Sequence, residues 1–202
     1  MKLRSIFSLV AVLLFCTLTT RAQQLTQAEK DKALQYLEST KKGVLDSARG
    51  LSPAQLNFKP APDRWSVAEC LEHIASAEDF LFGLITTQVM KSPDTPGRDV
   101  KAIDEGILKG VVDRSVKRQA PEPIKPVNKY GSAEGSEKHF VESRATTEAF
   151  LKNTTDLRQH VLPGPGGPPM DAYEWILLVA AHSERHTKQI EEVKADPNFP
   201  KS

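Results

Sequence analysis

Cysteine is nearly absent from this chain, which holds only Cys16 and Cys70. With no C-x-x-C pair there is no thiolate zinc cluster, and if Cys16 leaves with a leader peptide the remaining thiol has no internal partner. Stability must then come from packing, with a metal as the other available brace. An excess of either charge is also missing, since 27 basic residues face 26 acidic ones. Nucleic-acid binders concentrate basic residues on one element, so no such partner is expected. Long apolar runs are missing too: the uncharged run Ile6–Leu18 is too short to span a bilayer.

That stretch has a different reading. Lys2 and Arg4 precede it, polar residues follow, and a small residue stands at Ala22, the pattern of a secretory signal peptide. Cleavage is expected between Ala22 and Gln23, giving an exported (periplasmic or secreted) protein with no membrane span. Bulky Phe15 before Cys16 argues against lipidation. Losing Lys2, Arg4 and Arg21 reduces the 27 basic residues to 24 against 26 acidic ones, a net of −2. Residues 23–202 are long enough for one domain with its own core.

Helical periodicity dominates what is left. The first helix is expected from about Thr26 to Arg49, opened by the capping box "TQAE" and closed by Gly50. After the proline-containing "LSPAQLNFKPAPDRW", a second capping box, "SVAE", opens a helix from about Val67 to Met90. Residues 91–135 hold five prolines and five glycines, which suits a long crossover carrying one short helix near Val100–Lys109. A third helix is expected over Ser136–Leu162, ended by "PGPGGPP", and a fourth from Met170–Asp171 to about Ala195. No alternating strand run or internal repeat is present. The expected fold is all-α: a four-helix bundle with a long crossover between its second and third helices.

The chemistry is concentrated in "AAHSERHTKQI", residues 180–190. His182 and His186 stand four residues apart on the stripe of Trp175, Leu178 and Val193, so both face the bundle interior. His73 lies on the inward stripe of the second helix. Three unpaired imidazoles in one core would be costly, and a divalent cation relieves that cost by accepting a lone pair from each. Hydrogen-bonded core histidines without a metal are the plainer alternative. His139 and His160 sit among polar neighbours and are read as surface residues, as are Arg185 and Lys188.

Other motifs fail on spacing. The residue after His182 is Ser183, where a zincin helix requires glutamate, and no histidine has a glutamate three residues before it as a di-iron bundle requires. Glu184 points away from the histidine face. There is no G-x-S-x-G, and the glycine-rich 163–169 stretch lacks the Gly-Lys-Ser/Thr of a phosphate loop. Glu69, one turn before His73, is a candidate base, although its capping box with Ser66 explains it as well. Cys70 is a candidate fourth ligand, against the plainer reading of a small buried side chain. Trp65 is read as stapling the start of the second helix.

"PAPDRWSVAECLEHIA" (60–75) and "DAYEWILLVAAHSERHTKQIEEVK" (171–194), separated by a long variable middle, resemble the DinB-like superfamily, including the YfiT-like metalloenzymes. The resemblance covers nearly all of residues 23–202 in element order. It is most specific at W-S-x-x-E-x-x-x-H and the late H-x-x-x-H. It implies a four-helix bundle whose divalent metal, zinc or nickel, is held by His73, His182 and His186. Members include metal-dependent hydrolases and thiol S-transferases, so the resemblance implies a hydrolase or group transferase acting on a small molecule. The exported character fits a cytosolic-thiol chemistry poorly. A non-catalytic, metal-stabilised helical binding module stays open as the alternative. Members of that family often pair, so a homodimer is also carried as an expectation.

Overall fold

The computed structural model describes residues 24–95, 97–165 and 167–201. The signal peptide expected over residues 1–22 therefore lies outside the described residues. Four long helices form the body: α1 (Gln27–Ala48), α3 (Val67–Thr87), α5 (Ala133–Asn153) and α6 (Ala172–Lys194). Two shorter ones, α2 (Pro53–Asn57) and α4 (Val100–Gly110), lie in the connections. Side-chain caps mark the helix starts. Thr26, Ser66 and Asp171 each close a reciprocal capping box with Glu29, Glu69 and Glu174 respectively. Gly50, at φ +73°, supplies the left-handed residue that ends α1.

The four helices pack as a ring in the order α1, α6, α3, α5, so the consecutive helices α1 and α3 sit across its diagonal. α6 is the most enclosed: every residue from Ala172 to Ala181 is buried. One part of the core gathers Leu37, Ile85, Leu151, Tyr173 and Ile176, and the other gathers Val44, Val67, Ile74, Phe140 and Ile190. Between the helices lies a buried ionic knot. Arg144 of α5 donates from Nε and Nη2 to both Glu78 carboxylate oxygens (2.9 and 2.8 Å), from Nη1 to the Leu37 carbonyl and Thr40, and from Nη2 to Ser183. All five guanidinium N–H groups are thus satisfied, and all four long helices are joined.

The long crossover between α3 and α5 is present as expected. It opens with a 3₁₀ turn (Val89–Lys91), carries α4 against α6, and includes a second 3₁₀ turn (Glu122–Ile124) that packs on α3. The third long helix departs from its expected bounds. It starts at Ala133, after the N-cap Ser132, and stops at Asn153 instead of running from Ser136 to Leu162. The sequence "NTTD" explains the stop, because β-branched and short polar residues favour non-helical backbone. Leu157, expected on a helical stripe, is fully buried in a turn instead. Beyond it a short antiparallel hairpin pairs β1 (Val161–Pro163) with β2 (Pro169–Asp171), with Pro163 opposite Pro169.

Candidate metal centre

His73 comes from α3 and His182 and His186 from α6, two helices that pack directly on one another. Their Nε2 atoms converge: His73 lies 3.2 Å from His182 and 3.1 Å from His186. One donor nitrogen from each ring falls within 4.8 Å of the others, and among the described residues this is the cluster able to hold a metal ion. His73 and His186 are buried, and His182, half-buried as a residue, has its imidazole enclosed.

The outer nitrogens decide what the inner ones can do. Nδ1–H of His73 donates to the Ile124 carbonyl at 2.7 Å, and a carbonyl can only accept. Nδ1–H of His186 donates to Oε1 of Gln189 at 2.9 Å. Arg114 Nη1 donates to the same Gln189 oxygen at 3.1 Å, which fixes the amide's orientation. Arg114 is itself held by both Glu192 carboxylate oxygens, at 2.8 and 2.7 Å. In the neutral state each ring therefore carries its proton on Nδ1, and two bare Nε2 lone pairs face each other at 3.1 Å. No hydrogen bond can join them.

A third proton does not resolve the conflict. Burial pushes the His73 imidazolium down to about 4, against a favourable contribution from the Ile124 carbonyl. His182 and His186 are held well below the ordinary histidine range, first by burial and then by neighbouring rings and arginines. A divalent cation at metal–nitrogen distances of about 2.0–2.1 Å would set its nitrogens about 2.9–3.4 Å apart for octahedral to tetrahedral angles. The observed 3.1 and 3.2 Å fall inside that range. The cluster is compatible with a bound divalent metal ion.

The other candidate residues are placed as follows. Glu69 accepts from the Ser66 backbone N–H at 2.8 Å and from Lys59 at 2.9 Å, so both its oxygens are engaged at the helix cap. Cys70 is fully buried in the apolar core, and burial raises its thiol to about 12, far from the thiolate a metal requires. Trp65 lies over the site, its ring centroid 4.6 Å from that of His73 and 6.1 Å from that of His186. Glu184 points away as expected. It accepts from Tyr36 at 2.7 Å on the α1 side and lines a groove of about 440 Å³ with Leu108 and Leu177.

Several partners were not legible in the sequence. Gln189, three residues after His186, is within helical reach and could have been found from spacing. Ile124 and Arg114 come from the crossover, whose path no local pattern fixes. Arg185, expected on the solvated face, is buried instead. It donates to the Val111, Asp113 and Val116 carbonyls and so ties the crossover to α6. His139 and His160, expected at the surface, are half-buried. His139 Nε2 lies 2.7 Å from Asp79, and His160 Nδ1 lies 2.7 Å from the Ser92 carbonyl. Ser143, His139 and Asp79 form no nucleophilic triad, because the Ser143 hydroxyl donates to Asp79 and one histidine nitrogen faces both.

The DinB superfamily profile matches residues 36–190, a span that contains all three clustered histidines. The chain belongs to the DinB superfamily. The uncharacterized protein YuaE of Bacillus subtilis (strain 168) is 30% identical over 148 residues, which cover 72% of this chain and 87% of that protein. Among solved structures, YfiT from Bacillus subtilis is described as a probable metal-dependent hydrolase with an unusual four-helix bundle topology. It matches with a TM-score of 0.54 over 87% of this chain and 91% of that one, at 18% identity. At that identity the likeness is one of fold.

Proposed function

We propose that this DinB-superfamily protein is a metal-dependent hydrolase acting on a small molecule, with His73, His182 and His186 as the metal ligands. The observation that carries the reading is the pair of bare Nε2 atoms on His73 and His186, 3.1 Å apart, with both Nδ1 protons already committed to oxygen acceptors. Three nitrogen donors, with no fourth protein ligand among the described residues, suit a site that keeps a coordination position open. Bound there, zinc or nickel would act as a Lewis acid and lower the pKa of a coordinated water. The fold shared with YfiT, described as a probable metal-dependent hydrolase, supports the same reaction class.

The chain's own residues set the conditions. Ile124 and Gln189 hold the Nδ1 protons of two rings and so keep their Nε2 lone pairs directed inward. Trp65 packs over the His73 and His186 rings and limits water on that side. We further propose that the protein is exported once a leader over residues 1–22 is removed. That reading rests on the basic start and the apolar run Ile6–Leu18.

The test is a hydrolysis screen over ester, amide and phosphoester substrates with the metal-loaded protein. Turnover that chelator abolishes, zinc or nickel restores and His182→Ala lacks is the expected result. Full metal loading without turnover, together with thermal stability that depends on the metal, would replace the hydrolase with a metal-braced binding module.

A further inference from the structure

The carboxylate beside the first ligand has an occupation that the capping and core patterns do not explain. Glu72 is buried, and its carboxylate is engaged by backbone N–H groups, with Lys129 acting on it only at longer range through its side chain. The carboxylate accepts three consecutive backbone N–H groups of the crossover: Val127 at 2.7 Å, Asn128 at 2.9 Å and Lys129 at 2.8 Å. Three successive amides can face one anion only where the backbone curls into a concave nest. Asn128 supplies the curl. It has φ 63°, the only non-glycine residue with positive φ among those described, and asparagine tolerates that region better than most. Four residues before Asn128, Ile124 presents the carbonyl that receives the His73 proton. Pro121, Pro123 and Pro126 stiffen the segment around it.

A closed circuit results. α3 reaches out through Glu72 to grip residues 127–129, and the same segment reaches back through Ile124 to the very next residue of α3, His73. We propose that Glu72 is a positioning residue for the metal centre: by gripping residues 127–129 it fixes the Ile124 carbonyl against Nδ1 of His73, and so determines which nitrogen of His73 is free to bind a metal. The inference rests on the metal-ligand reading above, but its first consequence, the His73 tautomer, exists without any metal.

Two variants break the grip from opposite sides. Glu72→Gln removes the anion and replaces one of its two acceptor oxygens with an amide N–H₂ that cannot accept. Asn128→Val places a β-branched residue where φ is positive and opens the nest with Glu72 intact, while Asn128→Gly keeps it. Glu122→Gln, an exposed charge change on the same segment, is the control. Nitrogen-15 spectra of the chelated, full-length protein report the His73 tautomer, and a competition titration reports zinc affinity. Wild type, Asn128→Gly and Glu122→Gln should show His73 protonated on Nδ1 alone. Glu72→Gln and Asn128→Val should show a mixture of both tautomers and a zinc affinity lower by about 10- to 100-fold, the usual effect of losing a partner behind a metal-bound imidazole. If Glu72→Gln does not fold, the Asn128→Val and Asn128→Gly pair decides alone. A His73 tautomer unchanged in the disrupting variants overturns the proposal, as does unchanged zinc affinity. A wild type that binds no zinc, yet whose tautomer responds to Glu72, defeats the metal reading and leaves the positioning role standing.

Discussion

Nδ1 of His73 and Nδ1 of His186 each give their proton to an oxygen acceptor, and the residues that accept it matter as much as the rings. Gln189→Ala should leave His186 free to change tautomer. Zinc affinity is then expected to fall about tenfold or more, read by competition titration, with helix content unchanged by circular dichroism. The same rings give the metal-free protein a signed pH dependence. His73 falls from 6.5 to about 4 on burial, so the unfolded chain gains a proton in that window that the folded chain refuses. The stability this neutral histidine contributes is complete above 6.5 and lost as pH falls toward 4. His182 and His186 shift in the same direction. Glu174 opposes them: burial and Asp171 push it up to about 7, which favours the folded state as pH falls. The slope is therefore read by difference. Urea midpoints of chelated protein should drop between pH 6.5 and 4, and His73→Gln should flatten that drop. The three ligating candidates were legible because each repeats the apolar stripe of its helix. Of the groups behind them, Gln189 lies at helical spacing from His186, but Ile124 acts through its backbone carbonyl and Arg114 reaches Gln189 from a loop, so neither shows in a local pattern.

Helices were read best where a side chain closes their first turn. Thr26 with Glu29 and Ser66 with Glu69 stand in the sequence as they stand in the fold. Ser66→Ala should cost about 1 kcal/mol in urea denaturation, the usual loss for an N-cap, and should leave the metal-to-chain ratio unchanged at saturating metal. The third helix shows where such reading fails. Phe140, Thr147 and Leu151 follow a true helical period, but Leu157 and Val161 extend it only by coincidence of spacing. Leu157 reaches the same core from a turn, and Val161 pairs with Asp171 in the hairpin. The apolar pattern specifies burial at Leu157 without specifying the backbone that achieves it. α2 was missed for another reason: five residues are too few to show a period, and its cap pair Ser52 and Gln55 is visible only once a helix is suspected.

Across the whole molecule, the ring of helices and the crossover converge on one region. The crossover is tied to α3 by Glu72 and to α6 by Arg114 and Arg185, on either side of the histidines. The bundle is joined behind them by Arg144, a buried arginine no periodicity could announce. Arg144→Met leaves Glu78 buried without its partner and should destabilise by about 3–5 kcal/mol in urea denaturation. Adding Glu78→Leu should recover much of that loss, because the cost lies in the unpaired charge. All of this architecture frames a single claim, that three imidazoles hold one metal ion. The direct measurement is the metal content of untagged protein by elemental mass spectrometry, compared with His73→Ala and with a His182→Ala/His186→Ala double variant. About one zinc or nickel per wild-type chain, lost from both variants, is the expected result. Folded wild-type protein that carries no stoichiometric metal, and takes none up when zinc or nickel is supplied, would contradict it.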